Sequence, residues 1–515
     1  MHWQRWMWRS ALWIIFVSLA WGIDPIPPAL FKPVTPERAK EHLQFLASDE
    51  LQGRSTLRPT IWIAARYIAE QFRRFGLEPF RDTSYFHLYE LRRRYLAAVP
   101  VLYVHRRGGK TDTLTAGRNW RPYYFTAAIA VDSLPVVFAG YGVSLPDSAY
   151  DDYAHLDVRG KAVLVLDGLP APLRQRMSRR EQRRYGVRYK AELAAQLGAK
   201  ALLVVRIRRG RVRLGGFPWP LLSHRISRRA VPAVPAMSIS PIIVASFGKK
   251  AAEAVVGSLD SLRSWQRRID STGVPYTTTF NGVWLSLSVR DTVEKIVVPN
   301  VVGVLRGTLR PEEYVVVGAH YDHIGTGGTK ADTIYNGADD NASGTTGLLL
   351  LAEAFAQVKH PPLRSILFVA FSGEEMGLLG SRAFVNDSTV PVDRIVAMLN
   401  MDMISRNHPD TLHVGGVDLA PTLQKILETE NQHLSHPFVL LYDIDAFMGR
   451  SDQANFIEKN IPSLFFFTGL HEDYHQVDDE VGKVNFDKLS RVATLVGRLL
   501  WHIVHSEAPI PIGEP

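Results

Sequence analysis

The chain has 515 residues, room for two or three domains that each bury a core. Its formal net charge of +9 at pH 7 is modest for that length and does not by itself mark a nucleic-acid binder. There is no cysteine, so disulfides, thiol nucleophiles and cysteine-linked lipid anchors are excluded.

In chain order, MHWQRWMWRS carries Arg5 and Arg9 and is followed by the apolar stretch ALWIIFVSLAWG. Its length and flanks predict a signal peptide over residues 1–24, hence a periplasmic or secreted protein. An uncleaved anchor is the alternative, since Trp3, Trp6 and Trp8 would lengthen the apolar segment; no other contact with a membrane is expected. Asp24 to Pro36 is Pro-rich and predicts a linker. Thr35-Pro36-Glu37 then opens a helix, with an N-cap, a proline at the first position and an acid in the first turn. Arg174 to Lys190 and Arg206 to Arg213 are basic runs, expected to be solvated faces; they lack the interleaved aromatics that stack bases, and no nucleic-acid partner is expected.

From Tyr314 onward, apolar runs alternate with Leu/Ala-rich stretches, and an acid or histidine stands wherever a run stops. YVVVGA ends at His320, SILFVAF at Ser372-Gly373-Glu374-Glu375, VAMLN beside Asp402, and IPSLFFF leads through Thr468-Gly469 to His475. NGADDNASG places Asp339 and Asp340 ahead of the apolar stretch Leu348 to Phe355. The alternation predicts βαβ units, a parallel sheet whose ligands bind beyond the carboxyl ends of its strands. Singly, such an Asp is a helix N-cap and such a Glu-Glu complements a helix dipole. Together, two His, two Asp and a Glu form a ligand set for two divalent ions, with zinc suited to imidazole and carboxylate. Two adjacent ions clamp the attacking and leaving oxygens of a hydrolysis.

His320-Tyr321-Asp322-His323, Gly337 to Gly344, Phe371 to Glu375, Asn400 to Met403 and Asp473-Tyr474-His475 resemble, in order and spacing, the zinc aminopeptidases related to glutamate carboxypeptidase and the transferrin receptor, peptidase family M28. The resemblance implies an α/β fold, a mixed and mainly parallel sheet flanked by helices, of the zinc-peptidase phosphorylase/hydrolase type. It implies two zinc ions: Asp339 bridging them, His320 and Asp402 completing one site, Glu375 and His475 the other. Glu374 would be the general base, Asp322 would orient His320, and Tyr474 would donate to the oxyanion. A cis peptide is expected between Asp339 and Asp340. The family's usual Ser-Asp-His is Ser451-Asp452-Gln453 here, which puts substrate contacts in doubt, and Ser55 to Pro59 replaces its glycine-rich link.

VVFAGYGV, YDDYAHLDVRGKAVLVLDGLP, AAQLGAKALLVV and VPAVPAMSIS resemble a protease-associated domain. The expected organisation is a leader at 1–24, the start of the catalytic domain at 25–95, a β-rich protease-associated insert at 96–280 and the rest of the catalytic domain at 281–508. His471-Glu472-Asp473-Tyr474-His475 also reads H-E-x-x-H, a zinc motif that works only on a helix, and its flanks predict none. The expected activity is removal of residues from peptides with a free N-terminus. The alternatives are a glutaminyl cyclase with one zinc, a carboxypeptidase of the same superfamily, and a non-catalytic receptor-like relative. The sequence is silent on oligomeric state.

Overall fold

The computed structural model describes residues 25–506, apart from 82, 146–148, 216–232, 236–238, 328–330 and 360. The expected leader lies outside the described residues. The chain divides into two compact units, Met1–Tyr89 with Val297–Pro515, and Glu90–Ile296 between them. No helix among the described residues is long and apolar enough to cross a membrane.

In the first unit four parallel strands form the centre of a sheet: β1 (Arg310–His320), β2 (Arg364–Phe371), β3 (Ile395–Met401) and β4 (Ser463–Phe467), side by side in the order β2-β1-β3-β4. Antiparallel strands flank them, Asp291–Leu305 beside β2 and Thr411–Gly415 beside β4. Every residue of β2 and β4 is buried, as strands covered on both faces require, and this is why Ile366–Phe371 and Leu464–Phe467 are apolar throughout. One face packs on helices α1 (Pro36–Leu46), α2 (Ile61–Phe75), α3 (Gly344–Ala356) and α4 (Phe486–His505), which share a single core with it. Phe384 and Phe456 cover the other face. The architecture is the mixed, mainly parallel α/β sheet expected from the alternating runs. Helix α1 starts where predicted, with the Thr35 hydroxyl accepting from Arg38 N–H at 3.2 Å.

The pairing register levels the ends of the central strands, His320 lying opposite Phe371, and Met401 opposite Phe466. Their carboxyl ends therefore open on one rim. A segment far away in sequence braces that rim. The fully buried Arg54 guanidinium donates to the carbonyls of Leu46, Tyr321, Asn336 and Gly337.

The second unit carries its own sheet, with a parallel centre of Ala130–Ala139, Ala162–Leu166, Ala201–Arg208 and Ile243–Phe247. Its edge at Ile296 falls later than the 280 read from the sequence, because Thr277–Ser288 pairs with Val101–Arg106 and with Ala130–Ala139, both inside this unit. Gly198, at φ 88°, closes the helix Val187–Gln196 as expected of a C-cap, its N–H on the Ala195 carbonyl at 2.9 Å.

Candidate metal centre

Two clusters of potential ligands stand on the rim: His320, Glu374 and Asp402 in one, and His323, Asp340, Glu375 and His475 in the other. His320 is the last residue of β1, Glu374 and Glu375 follow β2 by a tight turn, Asp402 follows β3, and His475 lies in the loop after β4. Asp340 joins the clusters: one carboxylate oxygen is 3.4 Å from His320 Nε2 and the other 3.1 Å from His475 Nε2.

This corrects the sequence reading of Asp339 as the bridge. The Asp339 carboxylate accepts from the N–H and hydroxyl of Ser405 at 2.9 and 2.6 Å and lies 3.3 Å from His471, facing away from the other ligands. Within Ala338–Ser343 the backbone leaves helical geometry at Asp340 and Asn341, and of the two acids Asp340 joins the ligand clusters. The cis peptide is Asp340–Asn341, one residue later than expected. Gly337 opens this turn at φ 57°, where a Cβ would collide with the Asp340 carbonyl. Asp479, fully buried, then accepts the N–H groups of Asp339 at 3.1 Å and Asp340 at 3.0 Å.

Asp322 also differs from expectation in detail. The Nδ1 of His320 meets the backbone carbonyl of Asp322 at 3.1 Å, while the Asp322 carboxylate is 3.7 Å from that nitrogen. That carboxylate instead accepts from the Thr56 hydroxyl at 2.6 Å and from Glu374 N–H at 3.2 Å. Asp322 thus fixes the turn that presents the two glutamates. Thr56 lies in the segment that replaces the glycine-rich link, and its hydroxyl oxygen also accepts Gly373 N–H at 3.0 Å.

The donor chemistry fits zinc. Ligands about 2.0–2.1 Å from a tetrahedral ion are spaced roughly 3.3 Å apart. Here His320 Nε2 is 3.2 Å from Asp402 Oδ1, and His475 Nε2 is 3.1 Å from Glu375 Oε2. The buried His475 Nε2 has no hydrogen-bond partner despite that proximity, so the oxygens surround it without being aligned to accept from it.

Electrostatics set the acids apart. Burial pushes the Glu374 carboxyl well above its usual range, with Glu375 and Asp402 adding repulsion and His320 opposing it. Burial also acts on Glu375, but His323 and His475 outweigh it and hold that carboxyl low. For His320, burial disfavours the imidazolium, yet the carboxylates of Asp402, Glu374 and Asp340 prevail and raise it. Tyr474 stacks on His475 with centroids 3.9 Å apart, and burial with nearby carboxylates raises its phenol, keeping the O–H as a donor.

The centre opens into a cleft. Its polar lining comes from His320, Asp340, Glu374 and Asp402 with Arg450, Ser451 and Tyr474, and its apolar lining from Met403, Phe447, Phe465, Phe467 and Leu470. Gln453 does not line it. This side chain is buried, accepts from Asn400 Nδ2 at 2.8 Å and donates to the Met448 carbonyl at 3.1 Å, so the departure at that position is absorbed by packing. His471 to His475 form no helix, which removes the H-E-x-x-H reading. Sequence reasoning did not assign roles to His323, Thr56 or Asp479. His323 stands in His320-Tyr321-Asp322-His323, three residues after a ligand, and that spacing is the sequence signal for it.

Residues 300–500 match peptidase family M28. The chain is 34% identical over 162 residues to a glutamate carboxypeptidase 2 homolog of Caenorhabditis briggsae, covering 30% of this chain and 19% of that one. It is 26% identical over 268 residues to a probable zinc metalloprotease of Pyrenophora tritici-repentis, covering 43% of this chain and 61% of that one. The chain thus spans only part of the length of these relatives. Its fold resembles that of an aminopeptidase from Aneurinibacillus sp. strain AM-1, with a TM-score of 0.50 at 20% identity, covering 95% of this chain and 98% of the other. The match to peptidase family M28 falls on residues 300–500, the segment that carries both ligand clusters.

Proposed function

We propose that the protein is a zinc aminopeptidase that removes residues from the free N-terminus of peptides, using two zinc ions and Glu374 as general base. The carrying observation is the position of Glu374: it lines the cleft with its carboxylate 4.0 Å from His320 Nε2, farther from that nitrogen than Asp402 at 3.2 Å or Asp340 at 3.4 Å. When bound, zinc would supply Lewis-acid polarisation of the scissile carbonyl and acidify a water molecule. Glu374 takes the proton of that water and returns it to the leaving amine, a task suited to a carboxyl whose burial favours its protonated form. Tyr474 donates to the developing oxyanion. The acidic wall attracts the substrate's α-ammonium and the apolar wall receives its side chain. Export, expected from the leader, and a protease-associated character for the insert belong to the same proposal.

The test is one peptide offered free, N-acetylated and C-amidated. Losing a charged contact costs about 1.5–3 kcal/mol, or roughly ten to a hundredfold in rate. Acetylation is expected to suppress hydrolysis by that factor and amidation to change it little. The reverse pattern would make the enzyme a carboxypeptidase, and cyclisation of an N-terminal glutamine without cleavage would make it a cyclase.

A further inference from the structure

The two clusters are unequal, and the inequality rests on His323. In the His320 cluster, the three groups that can sit at ligand distance are His320, Asp402 and one oxygen of Asp340, at 3.2 and 3.4 Å from His320 Nε2. All three line the cleft, so the fourth corner of a tetrahedron faces the substrate space. In the other cluster four side chains offer one atom each, and those atoms lie within 4.8 Å of one another. His323 Nδ1 is 2.9 Å from Glu375 Oε1 and 3.7 Å from Asp340 Oδ2; His475 Nε2 is 3.1 Å from both Asp340 Oδ2 and Glu375 Oε2. Glu375 meets the two imidazoles through different oxygens, and the spacings lie on either side of the roughly 3.3 Å that separates ligands about 2.0–2.1 Å from one tetrahedral ion. Neither Glu375, His475 nor His323 lines the cleft.

We infer that His323 is itself a ligand, through Nδ1, and that it closes the rear metal position with four protein side chains while the front position keeps an open corner. Zinc positions with four protein ligands hold the metal as a structural element, and those with three protein ligands keep a place for water or substrate. The rear ion then serves as a fixed charge that anchors Asp340, and exchange with solvent and substrate is confined to the front ion. The side chain of His323 is fully buried, so its position is set by packing before any metal arrives.

This inference rests on the reading of the clusters as a metal centre, and the experiment separates the two. The full chain is stripped of metal and titrated with Co²⁺, following visible absorption, the count of paramagnetically shifted imidazole N–H resonances, and affinity by chelator competition. Wild type is expected to bind two ions of unequal affinity and to show three shifted imidazoles, from His320, His323 and His475. In both His323→Ala and His323→Gln the tighter site is expected to weaken at least about a hundredfold, its absorption to change, and one shifted imidazole to vanish. Glutamine retains a hydrogen-bond donor toward Glu375. If His323→Gln restores wild-type affinity and absorption, or wild type shows only two shifted imidazoles, His323 merely orients Glu375 and the inference is overturned. Failure of wild type to bind any Co²⁺ would instead overturn the metal-centre reading itself, and this inference with it.

Discussion

Both units bury charge at the ends of parallel strands, and they treat it in opposite ways. In the insert, the buried Asp152 carboxylate accepts from the N–H groups of Tyr141 and Val143 at 3.0 and 3.1 Å and from the Tyr150 hydroxyl at 2.8 Å. The buried Lys190 ammonium donates to the carbonyls of Leu166 and Gly168 at 2.9 and 2.6 Å. Each charge is solvated by backbone and locks a loop. On the rim of the first unit, Asp340, Glu374, Glu375 and Asp402 crowd together with imidazoles as their nearest cationic partners. A buried carboxylate supplied with N–H donors is architecture, and a buried group of carboxylates left facing one another is a place for something cationic.

The sharpest way to break this contrast is to replace one acid of the rim by its amide. Glu374→Gln should lower turnover by at least about a hundredfold, the scale of losing a general base, while zinc content measured by atomic absorption stays near wild type. Glu472→Gln, outside both clusters, should leave turnover within about twofold of wild type. A reversed pattern would return the H-E-x-x-H reading and end the contrast.

A smaller effect is expected where the two treatments meet. Asp479 belongs to the rim, yet it behaves like Asp152, accepting two backbone N–H groups and so holding the turn that aims Asp340. Asp479→Ala strands two buried donors, at about 1–3 kcal/mol each, and should both lower the thermal midpoint and weaken metal affinity roughly tenfold. Asp479→Asn keeps one acceptor and should recover part of both. Unchanged chelator competition in the alanine variant would show that the turn holds its aim without this carboxylate.

The smallest effect tests the insert. Burial draws the Lys190 ammonium down to about 8, against a pull upward from Asp167 and Asp152. A folded pKa below the unfolded 10.5 means that the unfolded chain binds the proton more tightly, so the group costs stability below about pH 8 and the cost fades as pH rises toward 10.5. The full difference is on the order of 3 kcal/mol. Lys190→Met should therefore gain stability relative to wild type by more at pH 7 than at pH 10, measured by urea unfolding. A difference independent of pH would show that the two carbonyls solvate the ammonium fully.

Much of this is legible in the sequence. The points where apolar runs stop gave the rim, because a buried strand cannot carry a charge until it emerges. His320, Glu374, Glu375, Asp402 and His475 all stand at or near the rim for that reason. What periodicity does not encode is the course of a turn. Asp339 and Asp340 are equivalent in the sequence, and only the local backbone course decides which one meets His320 and His475. The same limit hid His323, which lies past the end of its strand, and Thr56, whose hydroxyl reaches across 266 positions to Asp322. The end of the insert was misjudged because the alternation of Thr277–Ser288 describes a strand without saying which sheet it joins.

The Arg54 clamp has a consequence for the order in which the protein can be made. Its guanidinium is buried among carbonyls that include Tyr321 and Gly337, 267 and 283 positions downstream. During synthesis the helices on either side of Arg54 leave the ribosome long before those carbonyls exist, and burying a guanidinium without them is prohibitive. The insert is one uninterrupted stretch and can close its core as soon as Ile296 has emerged. The segment that carries Arg54 must wait for residues made after the insert, so the rim it braces cannot become native before they emerge.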